Sequence, residues 1–152
     1  MGVVMFYHLT RSSPEETLMM LLTRALGQGW RVMVRGTDVA ALERLDARLW
    51  QGEPASFLPH GMAGGPQDAD QPVLIGTKEI VNDAKGLFLL DGAGVTVAEA
   101  RGLERVWLLF DGSDGGQLTA ARAKWKALTE AGLPAQYWSE EGGRWEKKAE
   151  KG

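Results

Sequence analysis

The sequence predicts an α/β fold, a mainly parallel central sheet with helices on both faces. Two observations carry this. Short β-branched and aromatic runs alternate with segments whose leucines and alanines recur at three and four residues. Strands that alternate with helices imply parallel pairing, with both sheet faces covered. A length of 152 residues fits one domain.

The elements follow in order. Val3–Leu9 (VVMFYHL) reads as a buried strand. Ser13 caps the next helix, with Pro14 at its first position and Glu15 and Glu16 complementing the helix dipole. Leu18, Leu21, Leu22, Ala25 and Leu26 form its buried face, and Gly27 and Gly29 stop it. Trp30–Val34 is the second strand. Thr37 or Asp38 caps a second helix carrying Leu42, Leu45 and Leu49 and ending at Trp50. Gly52–Gln71 holds three of the six prolines and reads as a long loop. Pro72–Gly76 and Lys85–Asp91 are the third and fourth strands, the latter turning at Asp91-Gly92. One or two helical turns at Val97–Arg101 precede a fifth strand, Arg105–Phe110. Asp111–Gly116 is a turn-rich loop, and Gln117–Ala131 a helix with Leu118, Ala121, Trp125 and Leu128 in step. Pro134–Trp138 is a last strand, placed at an edge where its proline is tolerable. The expected organisation is one Rossmann-like domain over residues 1–141 and a polar, frayed tail over 142–152.

Composition narrows the chemistry. With no cysteine and only His8 and His60 as histidines, thiol catalysis, disulfides and Cys- or His-rich metal centres are excluded. A net charge of −3 argues against a general nucleic-acid surface. The N-terminal apolar run is too short for a membrane span and lacks the marks of a signal peptide, so a cytoplasmic protein is expected. Six tryptophans are the compositional oddity.

An α/β sheet invites a nucleotide at the carboxyl ends of its strands, but no GxGxxG or GxxxxGK[ST] occurs. The glycine clusters at 61–65 and 112–116 read as turns; the second lacks Lys and Ser/Thr at the helix entry. No GxSxG surrounds a nucleophile. The pairs Glu15-Glu16 and Glu140-Glu141 read as solvated, and His8 as packed or at an edge. No cofactor is expected. A diverged nucleotide-binding or hydrolase-like α/β enzyme is the alternative reading.

Several stretches in register resemble the chi subunit family of bacterial DNA polymerase III. They are Phe6-Tyr7-His8-Leu9, Leu45-Asp46-Ala47-Arg48-Leu49-Trp50, Ser56-Phe57-Leu58-Pro59-His60, Gln71-Pro72-Val73, and Ala121 through Lys126 (ARAKWK). The pairing of LDxxLW with FLPH seven residues later is the most specific. The resemblance implies a non-enzymatic adaptor of Rossmann-like fold. Such an adaptor docks the acidic C-terminal tail of single-stranded DNA-binding protein (SSB), links it to the clamp loader, and pairs with a psi subunit or a competing helicase.

Residue chemistry can be set beside that implication. An acidic tail that ends in apolar residues and a free carboxylate needs cations and an apolar slot. Arg122, Trp125 and Lys126 are spaced to share one helical patch, while Lys124 points about 200° away from Arg122 and reaches in from a flank. By resemblance, Arg122 meets the carboxylate and Trp125 stands where relatives carry tyrosine. Trp125 as a core residue is the competing reading. Trp50, Phe57, Pro59 and His60 form the expected second surface, for psi or a replacement partner; aromatics folded back onto the core are the alternative there.

Overall fold

The computed structural model describes residues 2–11, 13–50, 60–90 and 92–151. β1 (Val3–Leu9) leads into α1 (Pro14–Gly27), with the Ser13 side chain accepting from the Glu16 amide at 3.2 Å. β2 (Val32–Arg35) and α2 (Val39–Trp50) follow, and the Asp38 carboxylate accepts from the Ala40 amide. The next elements are β3 (Gly61–Met62), a 3-10 turn (Asp68–Asp70), β4 (Val73–Gly76), β5 (Gly86–Leu89) and α3 (Val97–Gly102). The chain ends with β6 (Arg105–Asp111), α4 (Gly115–Glu130), β7 (Ala135–Ser139) and β8 (Glu146–Lys151).

Among the described residues the strands form one sheet in the order β3-β4-β2-β5-β6-β1-β7-β8, parallel except for the antiparallel pair β7–β8. One core layer joins Leu18, Leu22 and Leu42 of α1 and α2 to Tyr7, Val34, Phe88 and Trp107. The other joins Ala100, Ala121 and Leu128 of α3 and α4 to Phe6, Met33, Leu87 and Val106. This is the expected Rossmann-like architecture, with helices on both faces. Within the first layer Phe88 and Trp107 stack at 4.1 Å and 6°. Gly86 makes room for that indole, since a Cβ there would overlap the Trp107 ring.

The structure departs from the sequence expectation in four places. β2 runs from Val32 to Arg35, because the Arg35 charge is buried against partners distant in sequence. The segment expected to be one loop contains β3, whose Gly61 and Met62 pair with Leu74 and Ile75. β7 is an interior strand between β1 and β8; Pro134 is tolerated because it precedes the strand and its carbonyl accepts from Val4. Residues 146–151 of the expected frayed tail form β8, paired with β7 from Ser139–Glu146 to Ala135–Lys151 with a register shift between Tyr137 and Trp138.

Candidate functional site

The site begins with the start of α4. Asp114 caps it, accepting from the Gly116 and Gln117 amides at 2.9 and 3.1 Å. Ala121 and Leu128 are buried, and Trp125 lies half-buried between them and the solvent-facing side of the helix. Arg122 and Lys126 are exposed, the first three residues before Trp125 and the second one residue after it, so that the two cations are i, i+4 neighbours beside the ring. Neither cation has a carboxylate within ion-pair distance among the described residues.

The sheet order brings further rings to this place, because β1 lies beside both β6 and β7. Phe6 meets Trp125 edge-on at 5.3 Å, and Tyr137 meets Trp125 edge-on at 6.0 Å. Phe110 and His8 complete the group, at 6.0 and 5.9 Å from the Tyr137 ring. The His8 Nδ1 lies 2.7 Å from the Tyr137 hydroxyl, and Nε2 lies 3.7 Å from a Glu141 carboxylate oxygen. Burial raises the Tyr137 hydroxyl above its ordinary pKa, with Arg122 opposing that shift. Trp125 is therefore both a packing residue and the partly exposed ring of a cation-flanked aromatic patch. The residues sequence reasoning missed, Tyr137, Phe6 and Phe110, enter through strand order, which no local motif announces.

The other expected site residues are placed elsewhere. Lys124 turns away from the patch: its Nζ donates to the Gly92 carbonyl at 3.3 Å, and burial holds its pKa below the ordinary lysine value. His60 is buried, with Nε2 3.2 Å from the Asp46 carboxylate of α2, so its ring is turned inward rather than presented to a partner. Trp50 ends α2. Phe57 and Pro59 lie outside the described residues.

The anion seats usual for such a sheet are filled from within. The amides of Thr10 and Arg11, just beyond β1, both donate to Glu140. Glu140 is thus buried and bonded, which corrects the expectation that both members of Glu140-Glu141 are solvated; Glu141 is exposed. At α4 the amides that would cradle a phosphate are held by Asp114. Among the described residues a wide hollow of about 1680 Å³ opens near the carboxyl end of β2 around Arg35. There the Arg35 guanidinium is already spent on Glu99 and on the carbonyls of Lys78 and Gly94. Volume alone therefore does not make it the better site.

Fold and surface together define a Rossmann-like α/β domain whose distinctive feature is a cationic and aromatic patch on its last helix. Residues 1–136 match the family model described as DNA polymerase III chi subunit, HolC. The chain is 30% identical over 137 residues to DNA polymerase III subunit chi of Pseudomonas aeruginosa, a match covering 86% of this chain and 92% of the relative. It is also 30% identical over 76 residues to the probable DNA polymerase III subunit chi of Rickettsia prowazekii, covering 50% of this chain and 46% of that one. The chain belongs to the DNA polymerase III chi subunit family.

Proposed function

We propose that this chain is a non-catalytic, cytoplasmic accessory subunit of the replicase. Its α4 patch binds the acidic C-terminal tail of SSB and so links SSB to the clamp loader. The observation that carries the reading is Arg122 and Lys126 flanking half-buried Trp125 without carboxylate partners among the described residues. Such cations are free to accept a carboxylate while the neighbouring rings take an apolar side chain. Glu140 and Asp114 support the non-enzymatic part, because a phosphate would meet a carboxylate at each of those amide groups.

A thermal-shift comparison tests the class, since a ligand that binds the native state raises its stability. Stabilisation by an SSB-tail peptide, without stabilisation by nucleoside triphosphates, is expected. The reverse pattern would favour an enzyme.

A second partner, psi or a replacement, is assigned to the surface around Trp50, Phe57 and Pro59, with His60 positioning the chain through Asp46 rather than touching the partner. Affinity capture from cell extract with wild type and with Trp50→Ala plus Phe57→Ala tests it. Loss of one partner is expected; identical partner lists would refute the assignment.

A further inference from the structure

A separate cavity of about 270 Å³ lies on the opposite sheet face from Trp125, beneath the C-terminal half of α1. Tyr7, Arg24, Arg105, Trp107, Trp138 and Trp145 give it its character. Trp145 meets Tyr7 edge-on at 5.2 Å and 82°. That contact explains the otherwise featureless β8: its pairing with β7 holds Trp145, just before the strand, against the cavity.

The cations here are unusual. The Arg105 guanidinium carbon sits 5.5 Å from the Trp30 ring and 5.9 Å from the Trp107 ring. Its side chain has no hydrogen-bond or ion-pair partner among the described residues, and its Nε is buried without an acceptor. A half-buried guanidinium ordinarily finds a carboxylate. Cation–π contact offsets part of the desolvation but leaves the N–H donors unused. Arg24, on the cavity's solvent side, likewise has no carboxylate partner among the described residues. Arg24 and Arg105 both line the cavity with Tyr7, and their positive charges oppose the rise that burial imposes on the Tyr7 hydroxyl's pKa.

We propose that this cavity is a second binding site, for a small planar aromatic anion whose ring lies among Tyr7, Trp138 and Trp145 and whose anionic group meets Arg24 and Arg105. The volume holds one ring system with a short arm, so the ligand is a monomer carrying a carboxylate or a phosphate. Trp138 and Trp145 fall beyond the residues that match the family model, so the site does not follow from family membership.

The test is titration of the full chain while the six indole N–H signals are followed by ¹⁵N NMR. The probes are phenylacetate, thymidine 5′-monophosphate and the neutral rings benzyl alcohol and thymidine, and Trp→Phe variants assign the signals. The signals of Trp107, Trp138 and Trp145 are expected to move with an anionic probe, with a dissociation constant of about 0.1–1 mM. Whichever anion binds more tightly assigns carboxylate or phosphate. Arg24→Gln, on an exposed helix position, is expected to weaken binding about fivefold without loss of fold. Neutral rings binding as tightly as anions, an unaffected Arg24→Gln, or no movement at roughly 10 mM probe would overturn the proposal. The α4 reading stands or falls separately, because the Trp125 signal alone reports on it.

Discussion

The His8 imidazole and the Tyr137 hydroxyl lie 2.7 Å apart, tying the carboxyl half of β1 to β7 behind the patch that Trp125 exposes. With the ring proton on Nε2, Nδ1 accepts from the Tyr137 hydroxyl, while Nε2 faces Glu141 at 3.7 Å, beyond hydrogen-bond distance. The imidazole also lies against the backbone of Gly112, where a Cβ would overlap it. Gly112→Ala must therefore displace His8 or the turn after β6. The expected cost is about 1–3 kcal/mol, read by denaturant unfolding. Unchanged stability would show that the turn relaxes freely.

Trp125 has two roles that substitution separates. Trp125→Ala removes edge contacts to Phe6 and Tyr137 and leaves a hollow over β1. It is expected to lower stability by about 2 kcal/mol and to abolish the apolar part of tail binding. Trp125→Phe keeps a ring in place and is expected to retain most of both. Equal tail affinity for wild type and Trp125→Ala, measured with folded protein, would assign the residue to packing alone.

Arg35 and Glu99 form a two-pronged pair, Nη1 to Oε1 at 3.2 Å and Nη2 to Oε2 at 2.8 Å. The Arg35 hydrogen bond is the main cause holding Glu99 below its ordinary value of 4.5. A carboxylate lowered on folding adds stability that is fully present above 4.5 and declines as pH falls, being lost below the folded-state value. Glu99→Gln is expected to be less stable than wild type at neutral pH, with the gap closing in acid. A gap independent of pH would rule out the charge contribution.

Removing the cation strands its acceptors instead. Arg35→Ala leaves Glu99 and the carbonyls of Lys78 and Gly94 without their donor. A loss of about 3 kcal/mol is expected, lowering the melting temperature by roughly 6–12 °C. A calorimetric scan within 2 °C of wild type would contradict it, being below the roughly 2–4 °C expected per kcal/mol.

What the sequence disclosed depended on whether the signal was local. β1 was legible to the residue because its apolar run is bounded by polar turns, and α1 because Ser13 and Pro14 mark its start. α4 begins at Gly115 rather than Gln117; glycine conceals a helix start that the Asp114 cap fixes. β8 was invisible because Glu146–Lys151 carries no apolar periodicity and is held mainly by its ladder with β7. Spacing alone put Arg122, Trp125 and Lys126 on one face of α4, but the flank contact expected of Lys124 is replaced by its bond to the Gly92 carbonyl, which no local pattern announces. The contributions of Phe6, Phe110 and Tyr137 needed the order β6-β1-β7, which no segment encodes by itself. Arg35 was unreadable for a related reason: Glu99 lies far along the chain.

The most direct test is titration of a fluorescent SSB-tail peptide against wild type and Arg122→Ala, with fold checked by circular dichroism. Arg122 is exposed, so the substitution leaves the core untouched. Tail-carboxylate binding by Arg122 predicts a loss of about 1.5–3 kcal/mol, roughly ten- to more than a hundredfold in affinity. Equal affinity of the two proteins for the peptide would contradict it.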